Sequence, residues 1–154
     1  MIASVLFVCL GNICRSPLAE AAMRAEAARL NLPVHVDSAG TGDWHVGAPP
    51  DRRAQAVAMR HGIDIGDYRA RQAKADDFRR FTHIFALDGQ NLRDLRRIAP
   101  ADHDAHLGLL MDMTPGREGT DVTDPYFGDD AGFDATWADV AAAARALATR
   151  LRQA

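Results

Sequence analysis

Apolar positions follow one another without a break near the start of the chain, in Ser4-Val5-Leu6-Phe7-Val8-Cys9. Such a run, stopped at Gly11, reads as a strand covered on both faces rather than one with a wet side. From Ser16 to Leu30 the spacing becomes helical, with Leu18, Ala21, Ala22, Ala25 and Ala28 on one face. Ser16 fits the N-cap of that helix, and Pro17 fits its first position, where a missing N–H costs nothing. The alternation then repeats. Val34–Ser38 reads as a strand, a helix runs from Asp51 to His61 and stops at Gly62, His83–Leu87 is a third strand, and Asp88–Ile98 a further helix. Leu107–Met111 reads as a fourth strand, and Phe133, Trp137, Val140, Ala144, Leu147 and Leu151 mark a last helix with Trp137 in its buried stripe. Strands and helices in turn, joined by short connections, predict an α/β fold: a four-stranded parallel sheet with helices on both faces, doubly wound, in one domain over 1–154. Two loops, 39–50 and 112–130, are longer than a plain connection needs, and function is expected there.

Composition narrows the class. A chain of 154 residues can bury a core without disulfides or metal. Its net charge is −3, and the basic residues, nearly all arginine, are scattered. That leaves no footprint for nucleic acid and no polybasic patch for a membrane. No apolar run approaches the ~18 residues of a membrane span, and the first residues lack the basic start of a signal peptide. Cys9 and Cys14 lie too close together to frame a disulfide-built fold and point to a reducing compartment. The expectation is a cytoplasmic protein, monomeric or weakly homo-oligomeric. The segment Asp102–His106, "DHDAH", invites a metal reading, but no ligand spacing supports one and none is expected.

The most informative stretch is "VCLGNICRSP". Cys9 stands at the carboxyl end of the first strand, where doubly wound sheets bind ligands. The turn Leu10-Gly11-Asn12-Ile13-Cys14 leads into a helix, so its amides can converge on an anion beside the positive end of the helix dipole. Gly11 and Asn12 are residue types that tolerate the positive φ of such a nest. Arg15 adds a planar fork that matches two phosphate oxygens. The same field turns Cys9 into a nucleophile, and Ser16 can hydrogen-bond its sulfur and ease its departure. A cysteine five residues before an arginine is common by chance. The strand before, the helix after and the Gly-Asn between make the pattern specific, with a buried structural cysteine as the plain alternative.

Displacing phosphate from an alcohol or phenol requires an acid for the leaving oxygen. The candidate is Asp124 in "TDPYF", with Pro125 stiffening the backbone and Tyr126 and Phe127 offering aromatic walls. An Asp-Pro turn with no chemistry is the competing reading. Trp44, in "SAGTGDWHVG", either caps the pocket opposite Tyr126 or packs under its own loop.

Together these motifs resemble the low-molecular-weight protein tyrosine phosphatase family, through "VCLGNICRSPLAE", "DSAGTGDWHVG", "HGI", "RARQ", "NLRDL" and "DPYFG" in that order. The resemblance implies hydrolysis of phosphotyrosine and small aryl phosphates through a phosphocysteine, without metal or other cofactor. Cys9 would be the nucleophile, Asp124 the acid and then the base, and Arg15 with the amides of Leu10 to Arg15 would bind phosphate. Asn12, Ser16 and Ser38 would form a network shaping the loop, with Trp44, Tyr126 and Phe127 at the substrate entrance. The resemblance further implies a phosphotyrosine protein substrate, a tyrosine kinase as its counterpart, and phosphorylation at Tyr126. Tyr68 stands where the family usually has a histidine in the network, and Gly89 and Gln90 are unusual at a helix start. Cys14 matches a cysteine that captures oxidised Cys9 as a disulfide, with simple packing as the alternative.

Three rival functions use this scaffold. An arsenate reductase-like enzyme relays oxidation through cysteines further along, and none follows Cys14. A protein-arginine phosphatase carries threonine where Ile13 stands. A phosphate-binding module without turnover needs neither Cys9 nor Asp124.

Overall fold

The computed structural model describes residues 2–154; Met1, the first residue of the expected domain, lies outside them. The sheet is built from β1 (Ala3–Cys9), β2 (Val34–Gly40), β3 (His83–Ala86) and β4 (His106–Leu109), all parallel, in the order β2-β1-β3-β4. The helices are α1 (Arg15–Leu30), α2 (Arg52–Arg60), α3 (Asp77–Arg80), α4 (Gly89–Ile98) and α5 (Asp130–Gln153).

Because β1 is central, both its faces are covered, and Val5, Leu6, Phe7 and Val8 have no exposed surface. Its side chains alternate between two cores. Val5, Phe7 and Cys9 join Leu18, Met23, Phe133 and Leu147 from α1 and α5. Leu6 and Val8 join Phe78, Phe81, Ile84 and Leu95 on the other face. Trp137 lies in the first core, stacked on His61 at 4.7 Å.

The chain leaves β1 toward β2 on one side and later returns to pair β3 on the other. Crossovers that diverge in this way open a crevice at the carboxyl end of the strand between them. Cys9 ends that strand, paired in register with Gly40.

Four local expectations are corrected. Ser16 is not a cap: α1 begins at Arg15 after Cys14, which makes no side-chain capping bond, and the Ser16 hydroxyl turns back to the Cys9 sulfur. The fourth strand stops at Leu109, and Leu110–Met113 form a 3₁₀ turn that buries Leu110 and Met111. Short apolar runs carry no period that separates these two states. The second strand runs on through Ala39 and Gly40, beyond Ser38, and the short helix α3 lies where no element was expected.

At the opposite end of the sheet, His83 and His106 face each other across β3 and β4 with ring centroids 5.8 Å apart, and His83 Nδ1 lies 2.7 Å from the Thr82 hydroxyl. Burial, then the charge of His106, holds His83 below its ordinary value. The folded chain therefore takes up fewer protons here than the unfolded chain, so this contribution is present above about pH 6.5 and lost as the pH falls below it. His83→Gln is expected to lose less thermal stability than wild type between pH 7 and pH 5, measured as the shift in Tm by circular dichroism; equal shifts would contradict the assignment.

Candidate active site

The turn after β1 is shaped by where its carbonyls go. Cys9 O accepts from Thr41 N at 2.9 Å, Leu10 O from Gly42 N at 2.9 Å, and Ile13 O from Asp51 N at 2.8 Å. Tying these carbonyls outward turns the intervening amides inward. Among the described residues none accepts a hydrogen bond from the N–H of Gly11, Ile13 or Cys14. Three unpaired amides at a helix N-terminus form a nest for an oxyanion.

Asn12 makes the turn possible. It is left-handed at φ 58°, a conformation asparagine tolerates better than most residues. Gly11 is not left-handed, contrary to expectation. It is small for a different reason, since a Cβ there would lie 2.9 Å from the His45 ring. Gly40 is the tighter constraint. A Cβ there would lie 2.7 Å from Leu10 O and 3.2 Å from Asn12 N, so β2 can run beside the turn only as glycine.

Beneath the turn lies a buried polar network. Asn12 Nδ2 donates to Ser16 Oγ at 2.8 Å and to Ser38 Oγ at 3.0 Å, and Asn12 Oδ1 accepts from Arg71 N at 3.0 Å. Ser38 Oγ donates to Glu20 Oε1 at 2.7 Å, and Arg24 Nε donates to Glu20 Oε2 at 2.9 Å. Glu20 is buried, which raises its carboxyl, while Ser38 and Arg24 oppose that rise. Sequence reasoning placed Asn12, Ser16 and Ser38 here but missed Glu20, one turn after Ser16 on the inward face of α1. Tyr68 does not replace a network member directly. Among the described residues its hydroxyl makes no bond to Asn12, Ser16 or Ser38; it lies near Glu20 and Arg24, and burial raises it.

Cys9 is buried at 3% exposure. Its sulfur lies 3.0 Å from Ser16 Oγ and 3.3 Å from Asn12 N, two groups able to donate to a charged sulfur. Arg15 is also 3% exposed and donates through Nη1 to Asp88 Oδ2 at 2.6 Å and to Val122 O at 3.0 Å. Burial works against its charge, but Cys9, Asp88 and Asp124 outweigh that and keep it firmly protonated. Asp88 also caps α4 by accepting from Asn91 N at 2.7 Å. Gly89 and Gln90 are accommodated at that helix start, Gly89 N by Asp121 at 2.9 Å and Gln90 by Asp94 at 2.9 Å.

Asp124 approaches from the loop before α5. One carboxylate oxygen accepts from Tyr126 N at 3.1 Å and the other lies 3.6 Å from Arg15 Nη2. Arg53 of α2 holds this loop, donating to Tyr126 O at 2.9 Å and to Gly128 O at 3.2 Å with its guanidinium 5.7 Å from the Tyr126 ring centroid. Arg53 is itself oriented by Asp51 at 3.1 Å. Neither residue was singled out in the sequence, where they read only as a helix start.

These parts enclose a cleft of about 160 Å³. Cys9, Cys14, Arg15 and Asp124 line it, with Trp44, His45, Tyr126 and Phe127 at its mouth. Trp44 is among the residues that line the cleft; its indole lies close to Gly42, where a Cβ would collide with it, but at 70% exposure it is not packed under its own loop. Cys14 is buried among the first-core residues, and burial, then Asp51 and Cys9, pushes its thiol well above the ordinary range. Of the "DHDAH" histidines, His103 packs on Phe78 at 4.8 Å and His106 belongs to β4.

Ser38→Ala would remove the acceptor of Asn12 and the donor to buried Glu20 at once. The expected cost is about 1–3 kcal/mol in urea unfolding, and Glu20→Gln, which keeps an acceptor for Ser38, is expected to cost less. A Ser38→Ala midpoint equal to wild type would refute the network's role in stability.

The family model described as "Low molecular weight phosphotyrosine protein phosphatase" matches residues 4–154. A low molecular weight protein-tyrosine-phosphatase of Streptomyces coelicolor is 46% identical over 154 residues, covering 97% of this chain and 93% of its own length. The crystal structure of YfkJ from Bacillus subtilis superposes with a TM-score of 0.92 at 37% identity, covering 99% of this chain and 96% of that one. That of a Drosophila arginine phosphatase superposes with a TM-score of 0.89 at 34% identity, covering 95% and 96%. The chain belongs to the low molecular weight phosphotyrosine protein phosphatase family.

Proposed function

We propose that the chain hydrolyses phosphotyrosine in proteins, and small aryl phosphates, through a phosphocysteine. The observation that carries this reading is the convergence on one small cleft of the Cys9 sulfur, three unpaired amides, the Arg15 guanidinium and the Asp124 carboxyl.

The Cys9 sulfur attacks phosphorus as the bond to the phenolic oxygen breaks, and Asp124 gives that oxygen a proton. Charge on the equatorial oxygens meets the amides of Gly11, Ile13 and Cys14 and the free edge of Arg15, groups already in place before the reaction. Water then attacks phosphorus, Asp124 takes its proton, and the bond to sulfur breaks. The Ser16 hydroxyl, 3.0 Å from that sulfur, stabilises the departing charge. No step requires a metal or a redox cofactor. A tyrosine kinase supplies the substrate, and the free thiol that the mechanism needs suits a reducing cytoplasm.

A second reading, hydrolysis of phosphoarginine, is kept in play by the likeness to the Drosophila arginine phosphatase. Ile13 weighs against it. Its side chain lines the cleft and supplies no acceptor for a guanidinium.

Matched phosphotyrosine, phosphoserine and phosphoarginine peptides separate these readings by phosphate release in chelator. Turnover of the phosphotyrosine peptide is expected, abolished in Cys9→Ser. Asp124→Ala should slow it by about 10²–10⁴-fold, and less for an aryl phosphate whose leaving group needs no proton. Preference for phosphoarginine would overturn the first reading, and binding without turnover would leave only a phosphate-binding module.

Cys14 is assigned to capturing Cys9 after oxidation. Attack by a thiol that burial keeps protonated is slow, so protection should be partial and should grow with pH. After peroxide treatment, thiol is expected to restore less activity in Cys14→Ser than in wild type. Equal recovery would reduce Cys14 to a packing residue.

A further inference from the structure

Trp44 and Leu10 do not only bound the catalytic cleft. They also line an adjoining hollow of about 260 Å³, whose other walls include Ala73 and Ile98. Its apolar surface is open to water: Leu10 is 41% exposed, Ile98 39% and Trp44 70%. The nearest charges are paired with each other, Arg97 with Asp94 at 2.7 Å, and Asp94 also accepts from Gln90. The hollow thus offers an incoming group apolar contact and no uncompensated charge.

Resting on the phosphotyrosine reading, we infer that this hollow is a second substrate subsite. It takes an uncharged apolar side chain of the substrate peptide, two residues from the phosphotyrosine. The cleft is too small for more than the phosphophenyl group, so the rest of the peptide must cross its rim. Two groups in van der Waals contact with opposite sides of a wall one side chain thick are about 7–8 Å apart. Alternate residues of an extended chain are about 6.6 Å apart. A peptide that places its phosphotyrosine against Trp44 on one side therefore places its second neighbour against the same wall on the other. The indole of this wall lies against Gly42, where a side chain would collide with it.

The test uses p-nitrophenyl phosphate and phosphotyrosine peptides bearing Leu, Ala or Asp two residues before or after the phosphotyrosine. In wild type, Leu at one of these positions is expected to raise kcat/KM over Ala by roughly tenfold, with Asp poorest. Ile98→Asp, at the exposed end of α4, should erase the Leu preference while Ile98→Leu keeps it, both turning over p-nitrophenyl phosphate like wild type. Equal use of Leu and Ala peptides by wild type would overturn the subsite, as would a Leu preference that survives Ile98→Asp. An equal fall for p-nitrophenyl phosphate in Ile98→Asp would also overturn it, since the effect would then be general. Peptide binding to Cys9→Ser and to Cys9→Ser with Ile98→Asp asks the same question without turnover. Failure of wild type to hydrolyse p-nitrophenyl phosphate would remove the phosphatase reading alone, and the binding series would still decide the subsite by the same criterion.

Discussion

The site depends first on one left-handed asparagine. Asn12 reverses the chain between β1 and α1, and only that reversal sets amides rather than carbonyls around the space above Cys9. A left-handed non-glycine residue costs stability unless its surroundings hold it. Here the side chain supplies the restraint, joining α1 through Ser16, β2 through Ser38 and the 70–73 segment through the amide of Arg71. The same residue donates its own N–H to the Cys9 sulfur. One amide side chain thus fixes the conformation that turns these amides inward, and the same residue points a donor at the Cys9 sulfur.

A second constraint is the buried guanidinium. Arg15 is almost wholly removed from water, and an arginine so placed needs anionic and carbonyl partners to remain tolerable. Asp88 and the carbonyl of Val122 provide them on one side. The other side faces the cleft with only the longer contact to Asp124. The cation is therefore satisfied where it is structural and under-satisfied where a phosphate would sit. Asp88 is shared between Arg15 and the N-terminus of α4, which ties the third βα connection to the turn after β1. The network below repeats this logic: Glu20, a buried carboxylate, is tolerable because Ser38 and Arg24 donate to it.

Much of this was legible in the sequence because it rests on local patterns. The unbroken apolar run of β1, the change to helical spacing at α1, and Gly-Asn between Cys9 and Arg15 are each written within a dozen residues. What could not be read depends on neighbours distant in sequence. Ser16 has the local signature of an N-cap, yet α1 already begins at Arg15 and the Ser16 hydroxyl lies against the Cys9 sulfur, a contact that β1 supplies. Glu20 reads as an ordinary helical glutamate until β2 brings Ser38 against it. Arg53 reads as a surface residue until the 124–128 loop returns across α2. Leu110 and Met111 read as strand and are a 3₁₀ turn, because three apolar residues in a row, Leu109 to Met111, do not reveal their period. Gly40 was visible only as one glycine in a glycine-rich stretch; the reason for it is the passing backbone of the catalytic turn.

Floor and rim obey different physics, and this decides where such a protein can change. In the floor, Asn12, Ser16, Ser38 and Glu20 are buried and linked by hydrogen bonds, and buried Arg15 is bonded separately to Asp88 and Val122 O, so altering one strands polar atoms on its partners. At the rim, Phe127 is 93% exposed and Trp44 70%, and their removal leaves nothing unpaired. The rim is nonetheless not loose. Arg53 binds the Tyr126 and Gly128 carbonyls, and the close approach of Gly42 seats Trp44. Side chains at the rim can therefore change without stranding buried polar groups, on a loop that Arg53 ties to α2. A fold divided in this way holds the turn and its buried network constant while the exposed side chains around the cleft are free to vary.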